Sequence, residues 1–264
     1  MLRHKKFLIP AVLAVLGTFA ILVGPVFNSS ASDVVSQFEA APRFPVSEVS
    51  SEANAVPFLR ASTQDVLDKP NPLGEITLGV ADAPVTIVEY ASLTCGHCGA
   101  FHTGVLPTLK EEYVDTGKVR FLFRPFPLDP YAMTGAMLAQ CVAPAARVAF
   151  LDTLFRRQSQ WVRSDDPLNS LRAYAKQAGL SGENFVLCLR SEDNLAAIRG
   201  MFEDASKELD VQSTPTFFVN GKKVQGNVGI EEFREIINKA LPDDMVDEVT
   251  DASATDAAEK DKGL

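Results

Sequence analysis

A pair of cysteines two residues apart, Cys95 and Cys98, follows directly on an apolar, β-branched run. This juxtaposition constrains the chain more than any other feature. The run, residues 84–91, reads Pro-Val-Thr-Ile-Val-Glu-Tyr-Ala and has the character of a buried strand. Ser92, Leu93 and Thr94 make a short loop. From Gly96 to about Thr116 the pattern is helical, with Phe101, Val105, Leu109 and Tyr113 four apart on one side. Gly117 is placed to end that helix, and Pro107 is expected to kink it because it removes a backbone donor. The first thiol therefore sits at a helix N-terminus, where unpaired backbone N–H groups stabilise a thiolate. The second lies one turn in, placed to attack a mixed disulfide formed at the first. Cys95-Gly96-His97-Cys98 reads as a redox-active dithiol.

Three other chemistries compete for the same residues. Zinc would take Cys95, Cys98 and His102, with His97 as a fourth ligand. Structural zinc usually draws four ligands from two separated knuckles, and the sequence has no second CxxC and no HxxxH. Haem attachment requires histidine directly after the second cysteine, where Gly99 stands. A purely structural bridge across so short a loop is strained and would rarely begin a helix. The expectation is a site with neither metal nor organic cofactor.

The first 31 residues bear on the compartment. Arg3, Lys5 and Lys6 precede residues 7–27, which carry no charge. This is the pattern of a signal peptide, and the apolar stretch also reaches the about 20 residues that span a bilayer. Cleaved signal and retained membrane anchor are both open, and both put the rest of the chain outside the cytoplasm, in the periplasm or another exported compartment. Such a compartment sustains disulfides. Residues 32–72, rich in Ser, Ala, Glu and Pro, read as a mostly irregular linker, with a short helix over 62–67 capped by Ser62. The formal net charge of −9 is concentrated in residues 242–264, which have no aromatic residue and read as a disordered acidic tail. No basic patch interleaved with aromatics points to nucleic acid.

Residues 73–241 are then one folded domain. Residues 75–78 read as an edge strand, and 119–124 as a second central strand, parallel to the first because a crossover helix joins them. About residues 132–209 are helical, in segments near 132–143, 145–158, 168–178, 181–189 and 194–208. Residues 216–219 and 222–225 form a hairpin about Asn220-Gly221, and 230–241 the last helix. The fold class is α/β, in the order βαβ, helical block, ββα. Thr214-Pro215 opens the returning strand. Proline is unwelcome in a central strand, so a cis bond beside a functional element is expected there.

The βαβ–ββα order, Cys95-Gly-His-Cys98 and Thr214-Pro-Thr-Phe-Phe-Val-Asn-Gly221 together resemble the thioredoxin superfamily. The inserted helical block, with residues 110–117 and 136–141, resembles its DsbA-like branch of exported thiol–disulfide oxidoreductases. The resemblance covers about residues 73–241 and implies a thioredoxin fold with a helical insertion. By it, Cys95 is the attacking cysteine and Cys98 the buried resolving one. His97 is the dipeptide histidine that helps hold the first thiolate. Glu89, six residues before Cys95, matches a buried acid that moves protons to and from Cys98. Thr214 and Pro215 match the cis-proline surface that pairs with an extended substrate. DsbA-type centres often have proline before the histidine; Gly96 gives instead the dipeptide of protein disulfide isomerases, which leaves the potential open. Cys141 and Cys188 fall in the helical block. A second, non-catalytic bridge between them is expected, with two buried free thiols as the alternative.

The resulting expectation is an enzyme that introduces disulfides into exported proteins. Its partners are reduced or unfolded exported clients and a membrane reoxidant of the DsbB kind. A disulfide reductase or isomerase is the alternative within redox chemistry, and a peptide-binding chaperone the alternative from another class.

Overall fold

The computed structural model describes residues 62–246. The expected signal or anchor segment, and most of the expected linker and acidic tail, lie outside the described residues. Five strands form one sheet in the order β1-β3-β2-β4-β5. They are β1 (Ile76–Leu78), β2 (Val85–Ala91), β3 (Val119–Pro125), β4 (Thr216–Val219) and β5 (Lys222–Gln225). β2 runs parallel to β3 and antiparallel to β4, while β1 and β5 pair antiparallel at the two edges. The expected parallel pair, edge strand and returning hairpin are all present. At the hairpin tip Asn220 and Gly221 both have positive φ, 44° and 80°, the conformation that suits a two-residue connection between twisted strands.

Side chains alternate across β2. Val85 and Ile87 pack with Phe121, Phe217 and Val219 against Phe101, Leu109 and Tyr113 and, from α10 (Ile230–Ala240), Phe233 and Ile237. Val88 and Tyr90 join Leu122 and Phe218 on the opposite face. That face is covered by Val66 and Leu67 of α1 (Thr63–Asp68) and Ala205 of α9 (Glu192–Glu208). α1 has the expected Ser62 cap, reciprocated by Asp65.

The helix that follows the cysteine pair is less regular than its spacing predicts. α2 (Gly96–Ala100) passes into a π stretch (Phe101–Val105), then α3 (Leu106–Leu109), then a second π stretch (Lys110–Val114). The widening brackets Pro107: Leu106 reaches back five residues to the Phe101 carbonyl, and the wider turn accommodates the missing donor of the proline. Phe101, Leu109 and Tyr113 are fully buried as the four-residue spacing requires, and Val105 is only partly so.

The helical insertion comprises α4 (Pro130–Cys141), α5 (Arg147–Arg156), α6 (Gln158–Val162), α7 (Pro167–Gln177), α8 (Gly182–Arg190) and α9. Asp129, Asp166, Ser181 and Ser191 cap the four helices that follow them. The segment expected over 145–158 is instead broken at Arg157, and helix resumes through Val162. The break turns Trp161 into the core, where it is fully buried and donates to the Leu154 carbonyl at 2.8 Å. A disulfide joins Cys141 to Cys188, with a Cα–Cα distance of 6.0 Å, so the expected bridge ties α4 to α8.

Candidate active site

Cys95 is the N-cap of α2 and Cys98 lies in its first turn. The loop ahead of them is fixed by backbone bonds, with Cys95 N–H donating to Ser92 O and Gly99 N–H to Cys95 O. Cys95 is half-buried and Cys98 fully buried, and neither is bridged. The Cys95 thiol faces the backbone carbonyl of Thr214 at 3.3 Å, and the Thr214–Pro215 bond is cis, as expected. Two segments 119 residues apart thus meet at one sulfur.

The electrostatics divide the two thiols. Cys95 is lowered to about 5, chiefly because the Cys98 thiol donates to its sulfur. Burial opposes this, while the Thr214 side chain and the backbone N–H groups of Cys98 and His97 assist it. Cys98 is pushed far upward: its S–H donates a hydrogen bond to Cys95, it is buried, and the charge of Glu89 adds to the effect. One nucleophile is ready at neutral pH and the other is held protonated.

Glu89 is fully buried on β2, opposite Phe123 and Phe217. One carboxylate oxygen lies 2.7 Å from His102 Nε2, and the other, Oε1, has no hydrogen-bond partner. His97 is exposed, and its contribution to the Cys95 thiolate is its backbone N–H. Thr214 and Pro215 are both buried.

Two residues belong to the site that the sequence did not single out in these roles. His102, which the sequence offers only as a zinc ligand, pairs with Glu89 and stacks on Phe155 at 3.7 Å between ring centres. Its position four residues after Cys98, on the helix side facing the sheet, was the available signal. Gln158 donates to the carbonyls of Leu93 and Cys95 at 2.9 and 2.8 Å. Nothing in its local sequence marks it, because its placement depends on the break at Arg157. Among the described residues no group of three His, Cys, Asp or Glu side chains is arranged to hold a metal ion. Among them, too, no helix is long and apolar enough to cross a membrane.

An activated cysteine at a helix N-terminus, a buried partner thiol and a facing cis-proline on this sheet define a thiol–disulfide exchange centre. The comparisons agree. A family described as thioredoxin matches residues 72–239. A protein named protein-disulfide oxidoreductase from Rickettsia typhi is 30% identical, over 64% of this chain and 63% of its own length. A disulfide bond formation protein D of Bacillus anthracis is 30% identical, over 62% of this chain and 77% of its own. The crystal structure of Wolbachia pipientis alpha-DsbA1 superposes with a TM-score of 0.62 at 31% identity, covering 68% of this chain and 96% of that one. The chain belongs to the thioredoxin family, in its DsbA-like branch. It spans just under two thirds of the length of the Rickettsia relatives it matches.

Proposed function

We propose that this protein is a thiol–disulfide oxidoreductase that introduces disulfides into exported proteins. A client thiolate attacks Cys95 Sγ of the Cys95–Cys98 disulfide, and Cys98 leaves as a thiolate that takes up a proton. A second client thiol then attacks the client sulfur of the mixed disulfide and displaces Cys95 as a thiolate. The observation that carries the oxidising direction is the placement of the Cys95 sulfur at the N-cap of α2, against the cis-proline segment and with the Cys98 thiol donating to it, which lowers Cys95 to about 5. Stabilising the thiolate stabilises the reduced enzyme, which makes its disulfide the stronger oxidant. Attacking cysteines of this superfamily range from about 7 in thioredoxin to about 3.5 in DsbA, and this value falls between them. His97 serves the thiolate through its backbone N–H.

Thr214 and Pro215 serve the extended client segment through their backbone groups, which allows many unfolded chains to be accepted. The reduced enzyme is returned to the disulfide by a membrane protein of the DsbB kind. Export is supported by the basic N-terminus ahead of its uncharged stretch, and by the Cys141–Cys188 bridge, which an oxidising compartment would preserve.

The deciding experiment is the reduction potential of Cys95–Cys98, measured beside oxidation of a reduced client and rescue of a scrambled one. A potential well above thioredoxin's about −270 mV, with client oxidation, is expected. A potential at thioredoxin's value points to a reductase, scrambled-client rescue to an isomerase, and client binding with inert cysteines to a chaperone.

A further inference from the structure

The loop that delivers Cys95 to α2 is gripped by the helical insertion. Leu93 is buried among the insertion's core side chains, with Leu154 and Trp161 in the same cluster. Gly135 of α4 makes room for it: a Cβ there would stand 2.7 Å from Leu93 Cδ1. The Thr94 hydroxyl donates to Asp129, the N-cap of α4. These contacts seat the side chains of the loop. Its carbonyls at Leu93 and Cys95 are taken by Gln158, whose amide nitrogen donates to them at 2.9 and 2.8 Å. Gln158 is itself firmly placed. It opens α6 after the break at Arg157, and Trp161 three residues on is fully buried and bonded to the Leu154 carbonyl.

The two bonds use both amide hydrogens of Gln158, one on each carbonyl. Its Oε1 lies against Gly99, where a Cβ would stand only 2.5 Å away. The Cys95 carbonyl accepts twice, from Gln158 and from the Gly99 N–H at 3.0 Å, the bond that starts α2. Both of its lone pairs are then occupied. One amide therefore ties down the peptide planes on either side of the Thr94–Cys95 bond. The plane that follows Cys95 leads into the first turn of α2. Its tilt sets how the N–H groups of His97 and Cys98, which favour the thiolate, face the sulfur.

We propose that Gln158 is a positioning residue of the exchange reaction, which keeps the attacking sulfur aimed along the N-terminus of α2 by clamping the Leu93 and Cys95 carbonyls. This rests on the reading of the dithiol as an exchange centre. Gln158 touches no reacting atom and acts through the backbone of Cys95. During exchange the sulfur changes partner between Cys98 and a client. A clamp on backbone carbonyls need not break when it does, so the helix terminus stays presented to the sulfur throughout. The helical insertion thereby takes part in setting the reactivity of Cys95, through a residue that enters the site only because the chain breaks at Arg157.

The test uses the full-length protein and two variants that release the clamp by different routes. Gln158→Met keeps the length of the side chain and removes its donors. Gly99→Ala keeps Gln158 and pushes its amide aside. Thiolate absorbance of the reduced protein reports Cys95, because Cys98 is held protonated and Cys141 and Cys188 are bridged. In both variants the ionisation constant of Cys95 should fall by about 3- to 10-fold, the size expected for one or two hydrogen bonds, so the midpoint moves upward from about 5. The constant for oxidation of glutathione by the Cys95–Cys98 disulfide at pH 7 should fall by a similar factor, because the reduced form is less stabilised. Both variants act on one clamp, so the double variant should shift no further than the larger single one. Urea unfolding in parallel separates positioning from structure: a merely structural residue lowers stability and leaves both constants at their wild-type values. Wild-type constants in folded Gln158→Met, or in Gly99→Ala should the first variant not fold, overturn the proposal. So do shifts that multiply in the double variant. In the wild type, the side-chain amide protons of Gln158 should titrate with the Cys95 midpoint, since they rest on its carbonyl, and signals that ignore that titration also overturn it. Clients play no part in these readouts. Failure to oxidise a client would remove the proposed function and leave the clamp to be judged on its own.

Discussion

The Cys95 thiol lies 3.3 Å from the carbonyl oxygen of Thr214, the residue whose bond to Pro215 is cis. A carbonyl accepts only from the protonated sulfur, so this contact is lost when Cys95 ionises. The groups that favour ionisation are the Cys98 thiol, the Thr214 side chain and the backbone N–H groups of Cys98 and His97. Alkylation of Cys95 in the reduced protein, or thiolate absorbance, should therefore titrate with a midpoint about 5 rather than at the ordinary 9.0. Thr214→Val removes the hydroxyl and keeps the carbonyl, and it should move the midpoint upward. A midpoint unchanged by that substitution would assign the effect to the helix terminus and Cys98 alone.

The same titration links to stability. The folded value lies below the unfolded one, so between pH 5 and 9 the unfolded reduced chain binds more protons than the folded one. The contribution of Cys95 is complete above about pH 9 and is lost as pH falls through about 5. Urea unfolding of the reduced wild type should weaken over that window relative to Cys95→Ser, which lacks the ionisable thiol. Parallel curves for the two proteins would contradict the lowered value.

The two cysteines of the pair should fail differently. Cys95→Ala removes the accessible nucleophile and should abolish client oxidation, because buried Cys98 is held protonated. Cys98→Ala keeps the accessible Cys95 sulfur but removes both the donor that lowers it most and the buried resolving thiol, so mixed disulfides formed when Cys95 attacks an already oxidised client should accumulate and be visible on non-reducing gels. Normal oxidase turnover by Cys95→Ala would sink the mechanism.

How much of this was legible in the sequence follows the range of the interactions. Strand, CxxC and helix are local, and residues 84–98 declared them through branching, spacing and turn chemistry. The hairpin did so too, through Asn220-Gly221. The Cys95–Thr214 contact joins segments 119 residues apart and was reached only through the family resemblance. The Glu89–His102 pair depends on the register of a helix over a sheet, and spacing alone shows a face without naming the partner. Gln158 was out of reach, since Arg157 carries no breaker residue and the turn there is imposed by burying Trp161. The π stretches around Pro107 show the same limit: the proline signalled an irregularity, and packing chose its form.

Gly99 and Gln158 should prove coupled. A Cβ on Gly99 would stand 2.5 Å from Gln158 Oε1, so Gly99→Ala forces the Gln158 amide aside. The amide then loses its bonds to the Leu93 and Cys95 carbonyls. Gln158→Ala loses the same bonds directly, at a cost of about 1–3 kcal/mol for part-buried acceptors left unmet. The two substitutions should therefore not add: the double variant should be about as stable as Gln158→Ala alone. Additive losses in denaturant unfolding would mean that Gly99 is needed for another reason.

The Cys141–Cys188 bridge should serve stability and leave the redox centre alone. It closes a separation of 47 residues, for which loop-closure entropy gives about 4 kcal/mol at 25 °C. The loop encloses α5, α6 and α7, including Trp161 and Gln158, so the bridge restricts that segment in the unfolded chain. A Cys141→Ala/Cys188→Ala variant should lose about 2–4 kcal/mol in urea unfolding at fixed pH, with Cys95 and Cys98 kept reduced in both proteins. The reduction potential of Cys95–Cys98 should stay at the wild-type value, since no residue of the bridge touches either active-site sulfur. A shifted potential with unchanged stability would reverse this division and make the second disulfide part of the redox machinery.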